Sequence, residues 1–184
     1  MILQRRFCVI RHGETDANRA GRIAGRIEAE LTEQGRAEAR ALSAFVWPAP
    51  VLLYVSPQLR ARETAALAFP GRQSRLLDDL RERDWGRLEG RPLAEMIARE
   101  DTPPEGESWP GMLDRVGRGL AQALADPRDG LPVLVAHSGT IRAIRRLTGG
   151  TEHGERPRNA APLLFTPAGS GWVESALLAA DSEV

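Results

Sequence analysis

The chain has 184 residues, of which 42% are hydrophobic and 27% are charged, and its formal net charge is zero. This length suffices for a substantial core, and we expect a single domain over residues 1–184. A neutral charge balance argues against non-specific binding to nucleic acid or to an anionic membrane. The longest apolar runs, such as 51–55, are far too short to cross a bilayer.

The basic residues and the cysteine restrict the chemistry further. All 25 basic residues are arginine, which excludes a Walker A phosphate site and Schiff-base chemistry, because both need lysine. Any phosphate site must therefore use arginine, histidine and backbone N–H groups. The single cysteine, Cys8, cannot form an internal disulfide, and we expect a buried thiol in a reducing, cytoplasmic compartment.

Apolar runs and helical periodicity alternate along the chain. In chain order the pattern predicts a strand at 5–10, a short helix at 16–20, a loop at 21–30, a helix capped by Thr32 and continuing to Val46, a strand at 51–55, a helix opened by Ser56 and Pro57, and a short strand at 75–77. It then predicts a helix at 92–100, a longer amphipathic helix over 112–124, a strand at 132–136, a helix around 141–147 ended by Gly149, and a hairpin of 163–166 with 172–178. Strands that alternate with helices indicate an α/β fold with a mainly parallel sheet.

Polar residues of similar character follow three of the predicted strands. Arg11 and His12 end the first strand, Ser56 and Arg60 follow the second, and His137 follows the strand at 132–136. The carboxyl ends of parallel strands share one edge of a sheet, so these side chains are expected to converge. Two arginines and two histidines together favour a phosphate dianion as the ligand.

These residues resemble the histidine phosphatase superfamily, which includes cofactor-dependent phosphoglycerate mutases and many small phosphatases. The resemblance covers nearly the whole chain and rests on blocks in the family order: Arg11-His12-Gly13-Glu14-Thr15 with Asn18, Ser56-Pro57 through Arg60, Leu80-Arg81-Glu82, and Ala136-His137 with Gly139-Thr140-Ile141-Arg142. It implies a phosphoglycerate mutase-like fold, a three-layer α/β/α sandwich.

The resemblance also implies roles for individual residues. His12 would be the nucleophile that takes the phosphoryl group on a ring nitrogen, and Glu82 would be the general acid and then the base. The phosphate oxygens would be held by Arg11, Asn18, Arg60, His137 and Ser138. Ser138 stands where many members have glycine, so its side chain would either narrow the pocket or add a donor.

The assumed chemistry places physical demands on these residues. His12 must attack as a neutral imidazole, so its other nitrogen needs an acceptor, expected to be a backbone carbonyl. Glu82 must be able to donate a proton, and we expect the neighbouring Arg81 and Arg83 to point away from it.

Several alternatives remain open at this level. Glu14, Asp84 and Glu107 are substitutes for Glu82 as the acid. Zinc binding by the two histidines is disfavoured because the flanking arginines repel a cation, and no metal or other cofactor is expected.

Three functions compete. The first is a phosphomonoesterase acting on a small molecule, the second is a mutase, and the third is a non-catalytic domain that binds a phospho-ligand or a partner. The short segment from Leu80 to Gly111 favours the phosphatase, because mutases of this family are usually longer there.

Overall fold

A computed structural model describes residues 3–177 of the chain. Six strands form one sheet: β1 (Phe7–Arg11), β2 (Val51–Val55), β3 (Ser74–Leu76), β4 (Leu131–Ala136), β5 (Pro162–Ala168) and β6 (Gly171–Ala176). Five α-helices accompany them: α1 (Asp16–Arg19), α2 (Glu33–Ala41), α3 (Leu59–Ala68), α4 (Trp109–Leu124) and α5 (Ser138–Leu147). The strand order is β3-β2-β4-β1-β5-β6. The first four strands in this order run parallel, and β5 and β6 are antiparallel additions at one side.

The sheet is covered on both faces. Strand residues such as Val9 and Leu134 pack with α4 and α5, whereas their neighbours such as Ile10 and Val133 pack with α3 on the other face. Because successive strand side chains point to opposite faces and both faces are covered, β1, β2 and β4 are buried at every position, and all their residues are apolar except Arg11 at the end of β1. The predicted α/β fold with a mainly parallel sheet and three layers is confirmed.

Local signals placed several element ends correctly. Thr32 caps α2 by accepting a hydrogen bond from the backbone N–H of Gly35. Gly149 follows the end of α5 with a φ of 86°, a conformation that glycine adopts without steric cost. The closing hairpin forms as β5 and β6, and the predicted end of its second strand at Leu178 lies outside the described residues.

The predicted start of α3 at Ser56 and Pro57 is wrong. Gln58 precedes the helix, which begins at Leu59. Ser56 instead continues the edge of the sheet, where its N–H donates to the carbonyl oxygen of Val135 at 3.0 Å. The Ser56 hydroxyl, which would have to cap the helix, lies 2.8 Å from His137 Nε2 instead.

The predicted helix at 92–100 is also wrong, since only a 3₁₀ turn forms at Leu93–Glu95. The segment uses its backbone groups for contacts with distant loops. Leu93 N–H donates to Gly21 O, and Arg99 O accepts from Arg83. These contacts with distant loops accompany the irregular backbone, so tertiary context overrides helix propensity here.

Helix α2 is shorter than predicted, because it ends at Ala41 and continues as a 3₁₀ turn over Leu42–Ala44. Phe45 then adopts an extended backbone, and its ring lies 6.2 Å from that of Trp47.

Within residues 3–177, no helix is long and apolar enough to cross a membrane.

Candidate active site

The sheet brings the two predicted histidines together. Arg11, the last residue of β1, pairs with Ala136, the last residue of β4, so His12 and His137 leave adjacent strand ends. The N–H of His12 donates to Ala136 O at 3.0 Å, and the two imidazole centroids are 5.2 Å apart. The convergence expected from parallel strand ends therefore occurs in the structure.

His12 has one ring nitrogen committed to the protein. Its Nδ1 lies 2.8 Å from Gly13 O, and a carbonyl oxygen only accepts, so Nδ1 carries the proton. Burial lowers the pKa of His12 well below its usual value, and the positive charges of Arg60 and Arg11 lower it further. The imidazole is therefore neutral, and Nε2 presents its lone pair.

His137 is fully buried behind the first histidine. Its Nε2 lies 2.8 Å from Ser56 Oγ, whereas its Nδ1 is buried without a hydrogen-bond partner among the described residues. Burial, followed by the charge of Arg60, lowers the pKa of His137 well below its usual value. An unpaired buried nitrogen is costly, and Nδ1 is the ring atom of His137 that is left for a further hydrogen bond.

Arg11 and Arg60 are held by main-chain carbonyl oxygens rather than by carboxylates. Arg11 Nη1 donates to Pro157 O at 2.9 Å, and Arg60 donates to Gly25 O at 2.7 Å and to Ile27 O at 3.1 Å. Both Nε atoms are buried and unpaired. Carbonyl dipoles fix the guanidinium groups without cancelling their charge, so the positive potential remains available for an anion.

Glu82 lies at the N-terminus of α5. Its Oε2 accepts from the backbone N–H of Gly139 at 3.0 Å, and its own N–H donates to Gln58 Oε1 at 2.8 Å. Gly139 is required for this position, because a Cβ there would lie 2.1 Å from Glu82 Oε1. The glycine after Ser138 therefore makes room for the carboxylate.

The arginines beside Glu82 are directed elsewhere, as expected. Arg81 pairs with Asp78 at 3.1 Å on the surface. Arg83 is fully buried, and its guanidinium donates to the carbonyl oxygens of Arg99, Asp101 and Glu107. Arg83 thereby fixes the two loops beside the site.

Asn18 is oriented by Asn159, a residue that sequence reasoning missed. Asn159 Nδ2 donates to His12 O at 2.8 Å and to Asn18 Oδ1 at 3.2 Å, and Thr15 N–H also donates to Asn18 Oδ1. With its oxygen engaged twice, Asn18 has its NH₂ group left to donate elsewhere. Asn159 lies 141 positions from Asn18, and its neighbours Pro157 and Ala160 bind Arg11 as well, so only tertiary structure shows its role.

A cavity of about 240 Å³ opens over these groups. The predicted residues that line it are Arg11, His12, Asn18, Arg60, Glu82 and Ser138. His137 lies behind this surface. The lining also includes Arg99, Arg142 and Arg156, of which only Arg142 follows a recognisable motif.

The alternative acids lie outside the cavity lining. Glu107 binds Arg115 with two hydrogen bonds of 2.8 and 2.7 Å; burial acts to raise its pKa, but Arg115 holds that pKa below the usual value. Glu14 accepts from Thr32 and Arg19, and these two partners lower its pKa. Asp84 accepts from the N–H of Gly86. Glu82 is the only carboxylate that lines the cavity within residues 3–177.

A zinc site on the two histidines finds no support in the geometry. In the described part of the chain, the one group of three side chains with closely spaced ligand atoms is Glu100, Glu152 and His153, on the surface. His12 and His137 face arginines instead.

The sheet, with histidines at its carboxyl edge, defines a phosphoglycerate mutase-like α/β fold. The chain belongs to the histidine phosphatase superfamily: the sequence model of that superfamily (branch 1) matches residues 7–164.

Individual relatives agree with this assignment. The chain is 31% identical over 152 residues to the uncharacterized phosphatase PhoE of Bacillus subtilis (strain 168), covering 78% of this chain and 77% of the relative. It is 31% identical over 185 residues to the adenosylcobalamin/alpha-ribazole phosphatase of Salmonella typhi, covering 91% and 83%. The crystal structure of a putative alpha-ribazole-5'-P phosphatase from Escherichia coli superposes with a TM-score of 0.78 at 25% identity, covering 95% and 96%. Relatives also include probable phosphoglycerate mutases. The family and the phosphatase-named relatives support a phosphatase enzyme.

The buried histidines make stability depend on pH. The pKa of His12 lies well below the ordinary value of 6.5, so at lower pH the unfolded chain binds a proton that the folded chain does not. The free energy of unfolding is therefore fully retained above pH 6.5 and falls as pH decreases, by about 1.4 kcal/mol per pH unit for each linked histidine. We expect His12→Gln to reduce this slope between pH 6 and 5, measured by denaturant unfolding in phosphate-free buffer. The exposed His153→Gln variant is the control, and an unchanged slope in His12→Gln would contradict the buried neutral state.

The Asn159 contacts generate a second prediction. Asn159→Asp replaces the Nδ2 donor with an acceptor that repels both His12 O and Asn18 Oδ1. We expect the inhibition constant of inorganic phosphate to rise about tenfold, the scale of one lost hydrogen bond to a charged ligand. In an Asn18→Ala background the same change should raise the inhibition constant less, because the amide that Asn159 orients is already absent and only the contact with His12 O remains. Equal increases of the inhibition constant in both backgrounds would exclude the positioning role. So would a melting temperature low enough that the variant is largely unfolded at the assay temperature.

Proposed function

We propose that this protein is a metal-independent phosphomonoesterase that hydrolyses a small phosphorylated metabolite through a phosphohistidine on His12. The observation that carries the proposal is the state of His12. Its Nδ1–H is fixed on Gly13 O, its ring is neutral, and it lines a cavity together with one carboxylate and six arginines, among them Arg11 and Arg60.

The proposed binding of the phosphoryl group uses the groups left unpaired in the structure. Arg11 and Arg60 supply guanidinium N–H donors, and Asn18 supplies its NH₂ group. His137 donates from Nδ1 if Ser56 donates its hydroxyl proton to Nε2, and Ser138 adds its backbone N–H at the start of α5. Several converging cations suit the reaction. The attraction between one cation and one unit of negative charge at about 4 Å is roughly 4 kcal/mol at an effective dielectric constant near 20, so several cations together can stabilise the transition state substantially.

In the first step His12 Nε2 attacks phosphorus and forms the N–P bond. The bond between phosphorus and the ester oxygen breaks, and Glu82 gives its proton to the leaving oxygen, which departs as an alcohol. In the second step Glu82 takes a proton from water, the resulting hydroxide attacks phosphorus, and the N–P bond breaks. Inorganic phosphate leaves, and both residues return to their starting states.

The size and charge of the cavity support a small substrate. A volume of about 240 Å³ is at or below the lower end of the range for small-molecule sites. Arginine supplies the electrostatic stabilisation that a metal ion supplies in other phosphatases.

Phosphoryl transfer back to the substrate, as in a mutase, is the competing outcome; assaying phosphate release and isomerisation on 3-phosphoglycerate separates the two.

The nucleophile is tested directly. We expect His12→Ala to reduce kcat for 4-nitrophenyl phosphate by at least roughly 10⁴-fold, the scale on which removal of a covalent nucleophile acts. The exposed His153→Ala variant is the control, and excess EDTA should leave the wild-type rate unchanged. Acid-labile ³²P on the wild-type chain but not on His12→Ala would identify the intermediate. Near-normal turnover by His12→Ala would overturn the proposal.

The acid is tested through the leaving group. Glu82→Gln cannot donate a proton, so kcat/KM should fall by about 10²- to 10⁴-fold for an alkyl phosphate but much less for 4-nitrophenyl phosphate. Gly139→Ala should show the same pattern, because its Cβ displaces the Glu82 carboxylate.

The control for the glycine change is Gly117→Ala in α4, whose Cβ would meet only Leu147 at an ordinary 3.7 Å. Equal losses with both leaving groups would show that Glu82 is not the acid.

A further inference from the structure

The cavity contains more positive charge than one phosphate group requires. Six arginines line it, whereas Glu82 is its single carboxylate within the described residues. A phosphomonoester brings at most two negative charges. Besides Arg11, Arg60 and Arg22, whose Nη1 donates to Gly90 O at 2.8 Å, the lining includes Arg99, Arg142 and Arg156, which we call the outer arginine cluster.

Arg99 is held in place by its backbone, while its guanidinium group has no hydrogen-bond partner among the described residues. Its carbonyl oxygen accepts from Arg83 Nη1 at 3.0 Å, and the buried Arg83 also binds the carbonyl of Asp101. The Arg99 guanidinium lies 5.2 Å from the centroid of the Trp109 ring. Its Nε is buried without a hydrogen bond, and within residues 3–177 the side chain forms no ion pair. Burial lowers the pKa of Arg99, and the charges of Glu82, Glu100 and Glu152 offset this only in part. A partly desolvated cation without a direct ion pair indicates a place for an anion.

The other two members are similarly free of carboxylates. Arg142 Nη1 donates to the carbonyl oxygens of Glu152 and Gly154, which leaves the rest of its guanidinium group available. Arg156 has no side-chain hydrogen bond among the described residues and also lines the cavity. Burial, and after it the charges of Arg99, Arg145 and Arg156, lower the pKa of Arg142. The members therefore repel one another, and an anion between them would relieve that repulsion.

We propose that the outer arginine cluster is a second anion subsite, so that the substrate carries an anionic group, a carboxylate or a second phosphate, on its leaving alcohol. This inference rests on the proposed phosphomonoesterase activity. Trp85, Leu93 and Met96 also line the cavity and can contact the carbon skeleton between the two anionic groups. The cluster then sets substrate choice, while His12 and Glu82 perform the reaction.

A matched three-carbon series tests the subsite. Glycerol 3-phosphate has no second anion, 3-phosphoglycerate adds a carboxylate, and glycerol 1,3-bisphosphate adds a phosphate. Each is measured as a competitor of 4-nitrophenyl phosphate hydrolysis, so that its inhibition constant reports binding whether or not it is turned over. We expect 3-phosphoglycerate or glycerol 1,3-bisphosphate to have an inhibition constant at least about tenfold lower than that of glycerol 3-phosphate. This is the scale of one charge-assisted hydrogen bond. Whichever binds better identifies the second group.

Variants assign that preference to the cluster. Arg99→Gln and Arg156→Gln should weaken the preferred competitor about tenfold more than they weaken glycerol 3-phosphate. Arg40→Gln removes the same charge from an exposed position on α2 and should change neither constant.

The outcomes also separate the two proposals. Hydrolysis of 4-nitrophenyl phosphate that depends on His12, without any preference in the series, would overturn the subsite and leave the phosphatase intact. Equal weakening of all competitors in Arg99→Gln would also overturn it. Hydrolysis that does not depend on His12 would overturn the proposed function itself.

Discussion

Arginine bound to main-chain carbonyl oxygens is the interaction on which the site depends. Arg11, Arg60 and Arg142 all donate to loop carbonyls, so their positions are fixed while their charges remain uncompensated. The contrast is Arg115, whose two hydrogen bonds to Glu107 neutralise its charge within the protein. A carboxylate partner would hold an arginine equally well but would remove the positive potential that an anion needs.

The same positive potential controls the histidines. The charges of Arg11 and Arg60 add to burial in keeping His12 neutral, which is the form that can act as a nucleophile. The same cations therefore have two effects. They favour binding of a phosphate, and they lower the stability of the folded protein at acidic pH, because they oppose protonation of His12. Function and pH-dependent stability are consequences of one electrostatic arrangement.

The sheet supplies the geometry, and β4 is the central element. It lies between β1 and β2, so hydrogen bonds from His12 and Ser56 both reach its last residues. Two long-range contacts complete the site: Glu82 on the N-terminus of α5, and Asn159 on His12 and Asn18. Each of these two contacts joins a loop to a residue that follows a strand end, and neither joins two strands. We therefore expect substitutions at Gly139 or Asn159 to affect activity more than stability.

The strands, the main helices and the convergence of Arg11, His12, Arg60 and His137 were predictable from the amino-acid pattern alone. Short continuous apolar runs rich in β-branched residues and bounded by turn residues favour central strands, and the carboxyl ends of adjacent parallel strands share an edge. The family blocks identified Glu82 as well. Three features became visible only in the folded chain: residues 92–100 are not a helix, Asn159 orients Asn18, and Arg99 and Arg156 line the same cavity as Arg142. These features depend on contacts between residues far apart in the chain, and no local propensity or spacing encodes such contacts.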